Sequence, residues 1–269
     1  MPSVIDPVTG LQLVELSNTW GYNTPMFPGF DDMRFERISR HGSHGVMTQR
    51  FTCVFHASTH VNAPVHLVPG AAGVGQIPME RFFGNGVVLD IPKEKWGLIT
   101  DRDLAAAKPA IRTNDIVIIV TGWHEKYSDS KEYFGYAPGL SKAAAQWLVK
   151  KKVKMVAIDT ADIDHPLATS LAQHRNGPLV KYLVPEYKKA TGRDPKKDHP
   201  EWRIAHRTLL AAGIPTVEGV GGDVGEVTGK RCTLQGFPWN WRDGDACYVR
   251  LVAMFDPSGS LRLESGRRA

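Results

Sequence analysis

Cysteine is scarce in this chain of 269 residues, and the three present, Cys53, Cys232 and Cys247, form no C-x-x-C pair. So odd and scattered a set argues against a disulfide framework and against a thiolate zinc site. Cys53, inside the apolar run "FTCVF", is expected in the core. No apolar run approaches the roughly 18 residues that a membrane span needs. The opening "MPSVIDPVTG" carries neither a basic stretch nor an apolar one, so no secretory signal is visible and a cytoplasmic protein is expected. No Lys/Arg run interleaved with aromatics accompanies the net charge of +5, which leaves nucleic-acid binding with little support. A mildly basic balance suits an anionic or carboxylate-bearing small molecule equally well. The glycine-rich "GVGGDVGEVTGK" (219–230) lacks the GK[ST] ending and fails as a phosphate loop.

What remains is an ordinary globular composition, 42% hydrophobic and 23% charged. The length gives ample material for a buried core. No repeat or low-complexity linker divides the chain, so one domain over 1–269 is expected. "NGVVLDIP" (85–92), "DIVIIVTGW" (115–123) and "VKMVAIDT" (153–160) read as strands, being rich in Val and Ile and closed by turn residues. "SKAAAQWLVKK" (141–151) reads as a helix capped by Ser141, and "HRTLLAAG" (206–213) as a shorter one ended by Gly213. Strand and helix alternate, so the fold class is α/β. The polar, basic segment 184–203 reads as an insertion between a core strand and the second helix. It is either a solvated loop or a lid or dimer contact over a site.

The chemistry concentrates in "FHASTHVNAPVH" (55–66), where His56, His60 and His66 fall within eleven residues. If the segment stays extended, His56, Ser58, His60 and Asn62 line one face. If it turns near Ala57–Ser58, a bend brings His56 and His60 together. In both cases Pro64 ends regular pairing and His66 arrives from another direction. Neutral imidazole is the commonest ligand for zinc and also suits manganese. Two histidines from one segment, completed by distant His and carboxylate groups, build a catalytic metal site with an open position. His206 and Glu218, twelve residues apart across a helix and a strand, are one candidate pair to complete it. Asp159, Asp162 and Asp164 in "IDTADIDHP" form an acidic cluster that suits capping and loop hydrogen bonds better than a second metal site. Trp20, Trp123, Trp239 and Trp241, with Phe27 and Phe30, are candidates for pocket walls.

"HASTHVNAPVH" resembles the H-x-G-T-H-x-D-x-P-x-H signature of the cyclase and kynurenine-formamidase-like metal-dependent hydrolases. "LSNTWGYNTPMFPG", "DIVIIVTGW", "GLSKAAAQWLVKKKVKMVAIDT" and "AHRTLLAAGIPTVEGV" are similar to further segments of that family, in the same order. The resemblance implies a mixed, barrel-like sheet flanked by helices, the swivelling β/β/α cyclase-like fold, in a homodimer or homotetramer. It implies that His56, His60, Asn62, His206 and Glu218 hold a divalent metal, Zn²⁺ or Mn²⁺, and that His66 is the catalytic histidine. The implied activity is hydrolysis of a small cyclic amide, imide or lactone, or of an aryl formamide, by attack of metal-bound hydroxide. A lyase, dehydratase or cyclase on the same scaffold, or a non-catalytic metal-binding relative, is the alternative. Three residues depart from the pattern. Ser58 stands for the motif glycine and Gly219 for the usual asparagine after the glutamate. Asn62 stands for the metal-binding aspartate, and the lost charge predicts one ion per chain, more weakly held.

Overall fold

Strands buried on both faces read as unbroken apolar runs, because neither face is left to carry polar side chains. Three such runs form the centre of this protein, whose computed structural model describes residues 3–260. In chain order the strands are β1 (Val4–Ile5), β2 (Gln12–Glu15), β3 (Arg34–Ser39), β4 (Thr48–Thr52), β5 (His60–Asn62), β6 (Phe83–Asp90), β7 (Leu98–Ile99), β8 (Ile116–Val120), β9 (Gly139–Leu140), β10 (Met155–Ile158), β11 (Thr216–Glu218), β12 (Arg231–Gln235), β13 (Ala246–Tyr248) and β14 (Val252–Phe255). The α-helices are α1 (His41–His44), α2 (Asp101–Ala106), α3 (Lys131–Gly135), α4 (Lys142–Lys151), α5 (Val180–Thr191), α6 (Pro195–Asp198) and α7 (Ile204–Ala211). Ten strands share one sheet in the order β1-β2-β14-β12-β6-β8-β10-β11-β5-β13. The middle four, β6-β8-β10-β11, run parallel. Their crossovers carry α2, α4 and α5 to α7 in turn.

Period-two alternation then sorts the side chains. Ile116, Ile118 and Val120 of β8 join one buried cluster, while Val117 and Ile119 join another with Leu104, Leu148 and Leu209 of the helices. Burying each such side chain contributes roughly 1.5–3 kcal/mol. The first cluster also holds Val14 of β2 and Val61 of β5, from opposite ends of the sheet. The sheet therefore curls until its ends share a core. A bridge between Ser17 and Val220, and a bond from Gly221 N to Leu16 O at 2.9 Å, tie the curl together. This is the mixed, barrel-like sheet that the resemblance implied. Helix α4 starts as its sequence predicts, with Ser141 Oγ accepting from Ala144 N at 3.1 Å. Among the described residues no helix is long and apolar enough to cross a membrane.

Two local expectations change. Cys53 is only half-buried, because it directly follows β4 of the exposed β3–β4 ribbon and lies outside the main sheet. Segment 184–203 is largely helical: it contains the end of α5 and all of α6. Leu183 and Tyr187, one helical turn apart, bury themselves in a third apolar cluster with Tyr133 and Phe134, and that contact orders the segment.

His165 and His199 stack in this region with ring centroids 3.9 Å apart. Nε2–H of His165 donates to Trp96 O at 3.2 Å, and its Nδ1 accepts from Leu167 N at 3.2 Å, which is the pattern of a neutral ring. Burial pushes the pKa of His165 well below the ordinary value and that of His199 down to about 4. Both rings take up a proton more readily in the unfolded chain, so stability is lost as pH falls from about 6.5 toward about 4. The expected loss is on the order of 2–3 kcal/mol for His199 alone. Urea denaturation at pH 7.0 and pH 4.5 measures it, and His199→Phe, which keeps a stacking ring, should reduce the difference. An unchanged difference would show that His199 carries none of the acid sensitivity.

Candidate active site

The site grows from the register of one short strand. Antiparallel pairing of β5 with β11 sets Glu218 opposite His60 and Thr216 opposite Asn62. Pairing with β13 on the other side sets Ala246 opposite Asn62 and Tyr248 opposite His60. Ahead of β5 the chain turns at Ala57–Ser58, with Ser58 at φ 54°, so of the two readings of this segment the bend is the one adopted. Gly219 also has positive φ (65°), and a Cβ there would lie 2.4 Å from Ser58 O. Two of the three departures from the family pattern thus meet in space: the glycine at 219 makes room for the strained turn at 58. After β5, Pro64 opens a single 3₁₀ turn, Pro64–His66, which returns His66 to within 4.2 Å of His56, ring centre to ring centre.

At the buried centre, His60 Nε2 lies 3.3 Å from Glu218 Oε2, and His206 Nε2 lies 3.1 Å from Glu218 Oε1. On their far sides, His60 Nδ1–H donates to Ser58 O at 3.0 Å and His206 Nδ1–H to Asp164 Oδ2 at 2.9 Å. A neutral imidazole has one N–H, so in the neutral form that a metal ligand needs each ring would turn a lone pair toward the carboxylate. His60 Nε2 is buried without a hydrogen-bond partner. Burial works against charge on His206, yet Glu218, Asp162 and Asp164 raise its pKa well above the ordinary value. Against the upward push of burial, His206 and His60 hold Glu218 well below the usual carboxylate range. The pocket thus favours positive charge at this point, whether proton or metal ion.

The acidic loop after β10 organises this centre, as its capping reading predicted. Asp164 accepts from Ala205 N (2.7 Å) and His206 N (3.1 Å), so it caps α7 and orients the His206 ring at once. Ile163 N donates to Glu218 Oε1 at 2.6 Å. Asp162 pairs with Arg203 at 2.8 Å, and Asp159 accepts from Thr121, Trp123 and His124. Arg203, in left-handed conformation (φ 47°) just before α7, was not singled out in the sequence; its place three residues ahead of His206 was the available signal.

Asn62 divides the cluster. Its Nδ2 donates to Glu218 Oε2 at 3.0 Å and to Thr216 Oγ1 at 3.3 Å, which fixes the amide with Oδ1 toward His56 Nδ1, 2.9 Å away. His56 therefore does not face Glu218. Its Nε2 meets Asp245 Oδ2 at 2.9 Å, and His66 Nδ1 lies 3.7 Å from the same oxygen. The His56 bond chiefly keeps Asp245 well below the usual carboxylate range. Burial pushes His66 down to about 4, so its ring is neutral near pH 7, further from the ordinary 6.5 than the sequence suggested. A small cavity of about 30 Å³ opens between Phe27, Phe30, His56, His60, His66 and Arg203. Phe30 stacks on His56 at 6.3 Å. No tryptophan lines it: Trp20 and Trp239 border another groove, Trp241 packs on Phe55, and Trp123 is buried beside Tyr133.

Kynurenine formamidase of Bordetella avium is 27% identical over 165 residues, 61% of this chain and 76% of that protein. Isatin hydrolase A from Ralstonia solanacearum shares the fold with a TM-score of 0.70 at 18% identity, covering 91% of this chain and 92% of that one. The corresponding enzyme from Labrenzia aggregata gives 0.70 at 20% identity, over 91% and 94%. The Cyclase family model matches residues 14–165, from β2 through β5 and β10 to the end of the acidic loop. As that match takes in more than half of the residues, the chain belongs to the cyclase family.

Proposed function

We propose that the chain is a metal-dependent hydrolase that cleaves the carbon–nitrogen bond of a cyclic amide or imide or of an aryl formamide, or opens a lactone. The observation that carries this reading is the buried convergence of His60 Nε2 and His206 Nε2 on the two oxygens of Glu218, with a lone pair left unpartnered on His60. Two imidazoles and a carboxylate suit one divalent ion, Zn²⁺ or Mn²⁺. The kynurenine formamidase relatives and the isatin hydrolase fold support the choice of bond.

His60, His206 and Glu218 would hold the ion, with His56 and Asn62 beside them. When bound, the ion supplies Lewis acidity and lowers the pKa of a coordinated water from about 15.7 toward about 7. The chain supplies the rest. Ser58 O, Asp164 and Ile163 N lock the three donors, so little reorganisation is needed. Phe27 and Phe30 form an apolar edge beside the histidines, against which an aromatic substrate would rest. His66, neutral near pH 7, takes a proton from the attacking water and hands it to the leaving nitrogen or oxygen.

The test is a panel of aryl formamides, cyclic amides and imides, and lactones, assayed before and after chelation. At least one should be cleaved with solvent ¹⁸O entering the product, with turnover lost on chelation and regained with Zn²⁺ or Mn²⁺. Turnover indifferent to chelation, or product without solvent oxygen, would overturn the reading.

A further inference from the structure

The structure assigns Asp245 to the metal centre: we propose that it supplies, beside His56, the carboxylate that Asn62 no longer provides. The inference rests on the metal-dependent reading above and extends it to a residue outside the histidine motif.

Charge makes the case first. A dication at this site meets one uncommitted carboxylate, Glu218, because Asp162 is paired with Arg203 and Asp164 is spent on the α7 N-terminus and His206. Asn62 is neutral, so Glu218 is left as the one carboxylate to meet the ion directly, with Asp164 acting only from behind the His206 ring. Asp245 offers a further one, against His56 and His66. Its Oδ2 lies 2.9 Å from His56 Nε2, and the ligand atoms of His56, His66 and Asp245 all fall within 4.8 Å of one another.

Hydrogen-bond accounting points the same way. His56 Nδ1 faces the Asn62 carbonyl oxygen, whose orientation Glu218 and Thr216 fix, and His56 Nε2 faces a carboxylate oxygen. Both nitrogens look at acceptors, and a neutral imidazole can satisfy only one of them. With Nδ1–H given to Asn62, the lone pair on Nε2 and the Asp245 oxygen converge on one point, where a cation satisfies both.

The fold makes the placement reproducible. Ala63 N donates to Asp245 O at 2.9 Å and Val74 N to Gly244 O at 2.8 Å, and the next residue, Ala246, pairs with Asn62. The backbone at 245 is therefore pinned against the end of β5, and the carboxylate meets His56 Nε2, across the ring from the Asn62 oxygen at Nδ1. A charge removed from one strand is returned by its neighbour.

The experiment is isothermal titration of the metal-stripped full chain with Mn²⁺ and with Zn²⁺, each protein checked for native folding by circular dichroism. Asp245→Asn should weaken binding at least about tenfold, as loss of a charged group at a metal centre does. Asn62→Asp placed in the Asp245→Asn background should bring the affinity back toward the wild-type value. Asp245→Ser, which removes both charge and shape, should weaken binding at least as much as Asp245→Asn. Wild-type protein that binds an ion while Asp245→Asn binds it equally well overturns the assignment and leaves the hydrolase reading standing. A double variant as weak as Asp245→Asn also overturns it, since the charge would then not be exchangeable between the two strands. Wild-type protein that takes up neither ion removes the hydrolase reading itself, and the assignment with it.

Discussion

Glu218→Gln should leave the purified protein without a retained divalent ion and lower kcat/KM by at least about 10³-fold, the equivalent of roughly 4 kcal/mol of lost transition-state stabilisation. The substitution is nearly isosteric, so the effect comes from charge and donor chemistry. Glu218 is the one residue touched by both His60 and His206, and its two oxygens are shared between them. A glutamine would turn an amide N–H₂ toward one of those rings and remove the negative charge that an ion at this position needs. Stability should fall as well, by about 3–5 kcal/mol, since His206 loses a partner in a buried network. The two consequences separate by measurement. Metal per folded chain, determined by mass spectrometry on the monodisperse fraction, reports binding, and thermal denaturation of metal-free protein reports the network. If Glu218→Gln retains an ion at the wild-type level and turns over normally, the centre lies elsewhere, and the meeting of the two histidines on this side chain is only a structural ion pair.

The parts of this centre differ in how visible they are in the sequence. The parallel strands could be read directly, because "DIVIIVTGW" and "VKMVAIDT" are buried on both faces and their composition admits little else. Helix α4 was legible through Ser141, a cap whose effect is local. The bend at Ser58 is not legible against an extended strand, since a positive φ at serine has no local signature and needs the space that Gly219 leaves far along the chain. Segment 184–203 looked polar enough for a loop, and only packing of Leu183 and Tyr187 against α3 residues makes it helical. Within the site, the histidines and Glu218 could be named from the family pattern, but their grouping could not. Register of β5 against β11 and β13 decides that Asn62 turns its amide to Glu218 and its oxygen to His56. The same register brings Asp245, 179 residues after His66 in the chain, to the ring pair. Long-range strand pairing is what a one-dimensional reading lacks.

His66→Ala should lower kcat by about 10²–10⁴-fold while leaving metal content and metal affinity near wild-type values. The separation follows from position. His66 sits on the 3₁₀ turn beyond Pro64, outside the contacts that join His60, His206 and Glu218, and its ring lies 6.1 Å from that of His206, centre to centre. It lines the small cavity between Phe30 and Arg203, which has room for about one water molecule, so a water placed there meets its ring. Burial keeps the ring unprotonated at pH 7 but a pKa of about 4 makes it a weak base, so a proton it takes should pass on quickly to the leaving nitrogen. That asymmetry predicts the pattern of rescue. Removing the imidazole leaves a space that opens to solvent, since the side chain is 20% exposed, and added imidazole should restore part of the lost turnover in His66→Ala. It should do nothing for Glu218→Gln, where the ion itself is missing. A His66→Ala enzyme with normal kcat would assign proton transfer to another group. One that loses its ion together with its turnover would instead make His66 a ligand, sharing the Asp245 oxygen with His56.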